Sequence, residues 1–154
     1  MPLFSACAIS PFYALIAWSS AGQISHVQAP VDLLAICGTV IFAVGELSNA
    51  YHHVLLRRLR KEGETGYKIP RGGCFAYAAA PHYFFELVGW FGFAVVTLHP
   101  LHFAVFVGMA SYLYDRARKQ AEWNEAKIKA YPAKERGYLV PWPIGLLGPR
   151  PLPF

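Results

Sequence analysis

Residues 31–53 read VDLLAICGTVIFAVGELSNAYHH, and this long apolar stretch decides the fold class. A helix needs about 20 mostly apolar residues to cross the roughly 30 Å hydrocarbon core of a bilayer. Three further stretches meet that length, namely residues 3–21, 75–98 and 101–118. Pro30 and the pair His99-Pro100 lie between stretches, where proline typically ends a helix. The pattern predicts an all-α membrane protein with about four transmembrane helices.

Composition and charge support a membrane protein. The 154 residues are 55% hydrophobic and only 15% charged, whereas soluble domains carry about 25% charged residues. All fourteen Lys and Arg residues lie either between the second and third stretches or from the end of the fourth stretch, at Arg116, onward. Four crossings with both termini in the cytoplasm place every cation on one side, as the positive-inside rule expects. The net charge of +5 therefore does not call for a nucleic-acid partner.

The sequence contains no signature of a metal or nucleotide-fold site. Cys7, Cys37 and Cys74 have no paired spacing and lie in or beside apolar stretches, which is typical of free buried thiols. Histidines and glutamates are present, but there is no His-x-x-x-His helix repeat and no cysteine pair. Neither Gly-x-Gly-x-x-Gly nor Gly-x-Ser-x-Gly occurs. No metal is expected.

A polar stripe follows the second apolar stretch into the basic segment. Its residues, spaced by three or four, are Glu46, Asn49, His53, Arg57 and Arg60. This spacing places them on one helical face. An ionisable group inside a membrane costs roughly 2.5–3.5 kcal/mol and therefore indicates a function. The stripe suits an elongated ligand whose phosphates bind the arginines. A polar seam between helices, with snorkelling arginines, is an equally good interpretation.

The third apolar stretch contains a second polar pair. His82 and Glu86 lie one helical turn apart, and Trp90 follows after another turn. A ligand pocket and a buried packing pair both explain this spacing.

The chain beyond the fourth stretch predicts an interfacial helix. Residues 116–131 mix basic, acidic and apolar side chains, and Pro132 is expected to end the helix. Such a helix lies where the membrane meets water, with its cations near lipid phosphates.

Several motifs resemble the C-terminal domain of steroid 5α-reductases, a family that includes polyprenol reductase and very-long-chain enoyl-CoA reductase. They are HVLLRRLRK at residues 53–61, YKIPRGG at 67–73 and GWFGFA at 89–94. The resemblance covers residues 45–141. It divides the chain into an N-terminal membrane segment at 1–44, the family domain at 45–141 and a Pro-rich tail at 142–154.

The resemblance implies a membrane oxidoreductase of lipid metabolism that uses NADPH to reduce a carbon–carbon double bond conjugated to a carbonyl. The substrate is a lipid of steroid, polyprenol or enoyl-CoA type, and the expected location is the endoplasmic reticulum with the basic loops cytoplasmic. Glu86 would orient the reacting end, and the proton donor is unknown. The residues implied in binding the cofactor are Asn49, His53, Arg60, Tyr67, His82 and Arg116.

The chain departs from the family pattern at four positions. His53 stands where steroid reductases often have Asp, and His82 where Asn is usual. Gln120 and Asn124 replace His and Tyr. Two other functions therefore stay open: a methyltransferase like the isoprenylcysteine enzymes, and a non-catalytic relative that acts as a membrane partner.

The front of the chain is short relative to the family pattern. Family enzymes carry the groups that protonate the substrate on additional N-terminal helices, and here 44 residues precede the match. We expect a truncated chain, an impaired relative or one piece of a split enzyme that works with a separate N-terminal polypeptide.

Overall fold

The computed structural model describes residues 14–22, 32–59 and 66–141. Residues 14–22 are helical and form α1. The remaining helices are α2, Leu33–Arg58, then α3, Pro81–Thr97, and α4, Pro100–Lys127. A turn of 3-10 helix, Gly73–Ala76, precedes α3. The described residues contain no β-strand, so the all-α prediction is confirmed for that part of the chain.

Among the described helices, α2 alone is long and apolar enough to cross a membrane. Its 26 residues measure about 39 Å. Large apolar side chains such as Leu33, Val40 and Leu47 are exposed along it. By contrast, α3 has 17 residues, fewer than the 20 or so that a span needs. Residues 14–22, 32–59 and 66–141 contain four helices, but four membrane crossings stay a prediction.

The helices begin where the sequence supplies caps. The Asp32 carboxylate accepts a hydrogen bond from the Ala35 backbone N–H at 2.7 Å and caps α2. Both α3 and α4 begin with proline, which lacks the N–H that a first helical turn leaves unpaired. The His99 ring also accepts a hydrogen bond from the Leu101 N–H at 3.2 Å. Pro100 therefore separates α3 from α4, as predicted.

The fourth apolar stretch and the predicted interfacial helix form one unbroken helix, α4. The prediction that this helix extends to residue 131 is wrong, because α4 ends at Lys127. Ile128 is extended, with φ −110° and ψ 111°. Its side chain turns back to bury with Tyr131 and Ala133. Pro132 disfavours the α conformation at the preceding residue, Tyr131, so the helix could not reach the predicted end.

Glycines bring α2 and α3 into backbone contact. A Cβ on Gly45 would overlap the backbone N of Gly89. A Cβ on Gly92 would lie 2.8 Å from both the Gly38 carbonyl oxygen and the Phe42 Cα. Small residues allow helices to approach this closely, and close packing drives helix association in membranes. The α2–α3 pair is therefore the centre of the fold.

The segment after α4 closes the N-terminal end of α3. Ala79 donates its N–H to the Gly137 carbonyl, and Gly137 donates to the Tyr77 carbonyl, both at 2.9 Å. Ala80 and Leu139 pack with Ala117 of α4 in a buried cluster. These contacts hold the residues directly before α3 in place. The candidate site is built partly from α3.

Candidate functional site

A cavity of about 660 Å³ lies among α1, α2 and α3. Glu46, Asn49 and His53 line it from α2, and Glu86 and Trp90 line it from α3. The volume falls within the roughly 300–1,000 Å³ that ligand pockets occupy. We call this space the main cavity. Three of the five residues in the predicted polar stripe thus line an open cavity, as the ligand interpretation expects, whereas Arg57 is not among the lining residues and Arg60 lies outside the described residues.

The opposite wall of the main cavity comes from α1. Ile16, Ala17 and Ser20 contribute to this wall. A hydrogen bond of 3.1 Å links Ser19 Oγ to Nε2 of His102, which is buried at the start of α4. Sequence reasoning missed this wall, although the serines of α1 and His102 are polar residues within apolar stretches and offered a signal.

A row of neighbouring residues leads from Asn49 and His53, which line the main cavity, to Arg116. Asn49 Nδ2 donates a hydrogen bond to the His82 carbonyl at 2.9 Å. The His82 ring lies 5.0 Å from the His53 ring and 4.2 Å from the Tyr83 ring. Tyr83 in turn interacts electrostatically with Arg116. Four residues of the sequence-derived site, Asn49, His53, His82 and Arg116, therefore form one continuous row.

His82 is the most deeply placed member of this row. It is only 7% exposed, and its Nδ1 has no hydrogen-bond partner. A buried polar atom normally finds a partner, because leaving it unpaired costs about 1–3 kcal/mol. His82 therefore has an unused hydrogen-bonding position next to the main cavity.

Tyr67 lies in a different place from the other predicted residues. A second cavity of about 320 Å³ is lined by Tyr67, Gln120, Trp123 and Asn124, among others. The Tyr67 and Trp123 rings meet edge to face at 4.7 Å. Gln120 Nε2 donates to Asn124 Oδ1 at 2.9 Å. The second cavity thus holds two of the positions that depart from the family pattern. Arg60 lies outside the described residues.

His52 connects α2 to the YKIPRGG segment. It is 2% exposed, and its Nδ1 makes a 2.7 Å hydrogen bond with the Ser48 carbonyl. Its Nε2 accepts from the Cys74 N–H at 3.0 Å, so the proton lies on Nδ1. A Cβ on Gly73 would lie 2.8 Å from this Nε2. The second glycine of the motif thus makes room for His52, whose structural role sequence reasoning missed.

Two of the three cysteines lie within the described residues. Cys37 and Cys74 are free thiols, as predicted, but the prediction that they are buried is wrong for Cys37, which is exposed, whereas Cys74 is partly buried. Cys7 lies outside the described residues. Partial burial raises the pKa of the Cys74 thiol. Within the described ranges, no group of three or more His, Cys, Asp or Glu side chains could hold a metal ion.

Sequence comparison identifies the family. The sequence profile of the family described as 3-oxo-5-alpha-steroid 4-dehydrogenase matches residues 3–143. The chain belongs to this family. The resemblance to steroid 5α-reductases is therefore confirmed.

Three relatives illustrate the extent of the similarity. 3-Oxo-5-alpha-steroid 4-dehydrogenase 1 of Rattus norvegicus is 44% identical over 109 residues, which cover 70% of this chain and 41% of the relative. The Homo sapiens protein of the same name is 38% identical over 109 residues, with the same shares. Steroid 5-alpha-reductase DET2 of Gossypium hirsutum is 38% identical over 107 residues, or 70% of this chain and 42% of the relative. The matched part of this member of the steroid dehydrogenase family thus spans about two fifths of each relative.

Proposed function

We propose that this chain forms the cofactor-binding part of a membrane oxidoreductase that reduces a carbonyl-conjugated carbon–carbon double bond in a lipid, with NADPH as the reductant. The convergence of Asn49, His53 and Glu86 on the main cavity carries the proposal. Family membership supports the reaction class, since the relatives are named as steroid dehydrogenases and reductases. A cavity among helices also accounts for polar groups within apolar segments.

The described residues fit NADPH. Its nicotinamide carboxamide needs hydrogen-bond donors and acceptors, which Asn49, His53 and Glu86 supply at the cavity wall. The unpartnered Nδ1 of His82 offers another polar contact. Arg116, at the far end of the row, would bind a phosphate of NADPH through the N–H groups of its planar, charged guanidinium. When bound, NADPH would supply a hydride to the β-carbon of the conjugated double bond.

The proposed substrate is a 3-oxo steroid with a double bond next to the carbonyl, because the relatives carry 3-oxo-steroid names. Phe42, Phe93 and Ile16 give the main cavity an apolar portion that suits a lipid. A polyprenol-type or enoyl-CoA substrate shares the same conjugated carbonyl and is the alternative.

In this proposal the chain crosses the membrane of the endoplasmic reticulum four times, and its basic segments lie on the cytoplasmic face. The exposed apolar surface of α2 supports contact with lipid. Labelling of single cysteines placed in each segment between helices, from one side of the membrane at a time, tests the four crossings. Labelling of the two basic segments from opposite sides of the membrane would contradict the arrangement.

The decisive experiment measures NADPH affinity of the full chain in detergent by tryptophan fluorescence. Arg116→Ala is expected to weaken binding by about 1.5–3 kcal/mol, the value of a charged hydrogen bond. Arg118→Ala is the matched control, because Arg118 pairs at the surface with Asp115 and Glu122. Its effect should be small, because ion pairs at the exposed surface contribute little.

Competing ligands separate the alternative functions. NADH and S-adenosylmethionine should bind more weakly than NADPH. Binding of S-adenosylmethionine alone would favour a methyltransferase. Folded protein that binds none of these ligands would contradict the oxidoreductase proposal and favour a non-catalytic membrane partner.

A further inference from the structure

A buried histidine joins three helices beside the main cavity. His102, near the start of α4, is only 1% exposed. Its Nε2 lies 3.1 Å from Ser19 Oγ of α1, and its Nδ1 lies 2.7 Å from Thr97 Oγ1 at the end of α3. A neutral imidazole donates through one ring nitrogen and accepts through the other, so both hydroxyl groups can bond to it at once. One side chain thus links α1 to both α3 and α4.

The hydroxyl groups beside His102 also have partners in the backbone. Ser19 donates to the Ile16 carbonyl at 2.8 Å, and Thr97 donates to the Phe93 carbonyl at 3.1 Å. Removal of the imidazole would therefore leave neither hydroxyl group without a partner. What the His102 ring adds is the connection between the helices.

The bond to His102 matters because few other side chains hold α1 in place. Among residues 14–22, Ile16 alone is buried, whereas Leu15 and Trp18 are 59% and 78% exposed. A segment with few buried contacts is held weakly by the rest of the protein. Within the part of the chain that the structure describes, the bond between Ser19 and His102 is therefore a main constraint on where α1 lies.

The wall that His102 supports faces the charged side of the main cavity. Ile16, Ala17 and Ser20 line the cavity from α1, and Phe93 lines it from α3. His102 is not among the lining residues, but its ring centroid is 4.8 Å from that of Phe93 and its Nε2 is 3.5 Å from Ser20 Oγ. The ionisable side chains at the cavity belong to α2 and α3. We expect a lipid whose carbonyl group meets those side chains to turn its other end toward α1.

We propose that His102 is a positioning residue that fixes the α1 wall and thereby limits how bulky a lipid the main cavity accepts. The inference rests on the proposed function for the identity of the ligand, a 3-oxo steroid. A fixed wall excludes added bulk, because extra apolar atoms forced into a fitted pocket cost free energy. A wall that is released from His102 can retreat, so a larger ligand gains affinity while a smaller ligand loses little.

The first test compares two steroid ligands of the full chain in detergent by tryptophan fluorescence. Both carry a 3-oxo-4-ene ring, and one also has a branched alkyl chain at the opposite end of the ring system. Wild-type protein should bind the compact steroid about tenfold more tightly, since one excess methylene in a fitted apolar pocket discriminates about 10–200-fold. His102→Phe retains an aromatic ring beside Phe93 but lacks both hydrogen bonds. It should reduce the preference about fivefold, the equivalent of one hydrogen bond.

Three further variants show whether the preference depends on the bond to Ser19. Ser19→Ala should reduce the preference as His102→Phe does, and the double variant should reduce it no further, because both changes break the same bond. His102→Gln should restore part of the preference, since its amide oxygen can accept from Ser19. The matched control His99→Asn should keep the full preference. The His99 ring lies 5.3 Å from the His102 ring, and Asn preserves the cap of α4.

A distance measurement reports the position of α1 without any ligand. Nitroxide labels are attached at Trp18→Cys and Val107→Cys, two exposed positions on α1 and α4, in a chain without its native cysteines. Pulsed EPR should give a narrow distance distribution when His102 is present and a broad one in the His102→Phe variant. Identical distributions would show that His102 does not hold α1 and would overturn the proposal.

The binding results separate this inference from the proposed function. Equal binding of both steroids by wild-type protein, or an unchanged preference in His102→Phe, would overturn the role of His102 and leave the proposed reductase intact. Wild-type protein that binds neither steroid would overturn the proposed substrate and this inference together.

Discussion

Replacing Gly92 with Ala tests whether backbone contact between α2 and α3 holds the fold together. The new Cβ would lie 2.8 Å from the Gly38 carbonyl oxygen and the Phe42 Cα, whereas ordinary contact begins at 3.4 Å. The helices must therefore separate by more than about 0.6 Å, because the backbone N of Phe42 lies nearer still to the new Cβ. Since every blocking atom belongs to the α2 backbone, no side-chain rotation can relieve the overlap.

The expected loss of stability follows from two opposing effects. Overpacking of this kind costs about 1–3 kcal/mol, and backbone contact places Gly92→Ala at the upper end. The gain in helix propensity from Gly to Ala offsets about 1 kcal/mol. We expect a net decrease of about 2 kcal/mol in the free energy of unfolding, measured by thermal or denaturant unfolding in detergent.

Two glycine variants serve as controls. Gly108→Ala adds a Cβ with no atom within 4 Å, so it should be neutral or stabilise the protein by up to about 1 kcal/mol. Gly89→Ala meets the flexible Glu46 carboxylate first, and its cost should lie between the other two. Equal stability of Gly92→Ala and Gly108→Ala would refute the argument that α2 and α3 touch through their backbones.

Three further predictions concern single contacts. His52→Ala should destabilise the protein by about 1–3 kcal/mol, because it leaves the Cys74 N–H unpaired, and stability unchanged from wild type would contradict this. Asp32→Ala should cost about 0.5–2 kcal/mol through loss of the α2 cap, while Asp32→Asn should largely restore it. Because burial raises the pKa of Cys74, maleimide should label it at higher pH in folded than in urea-unfolded protein, with Cys74→Ser as the background. Identical pH profiles would exclude the burial effect.

The polar wall of the main cavity could be predicted from the sequence because it lies on one helix. Glu46, Asn49 and His53 are separated by steps of three and four, so helical periodicity alone brings them to one face. The placement of Glu86 opposite them depends on how α3 packs. That packing is set by Gly45 and Gly89, whose meeting no spacing rule predicts.

Other parts of the site depend on contacts between distant segments. His52 meets Cys74 across 22 positions, and Tyr67 meets Trp123 in the second cavity. Family resemblance named Tyr67 as a cofactor contact, but a motif gives no distances. The sequence pattern also predicts the wrong end for α4, because Ile128 leaves the helix and is buried with Tyr131 and Ala133.

The unbroken length of α4 has a mechanical consequence. His102 and Asn124 are 22 residues apart on this helix and therefore about 33 Å apart along its axis. His102 bonds to α1 beside the main cavity, and Asn124 lines the second cavity. One unbroken helix therefore joins the two cavities. We expect a displacement of α4 at Asn124 to change the contact of His102 with α1, and with it the wall of the main cavity.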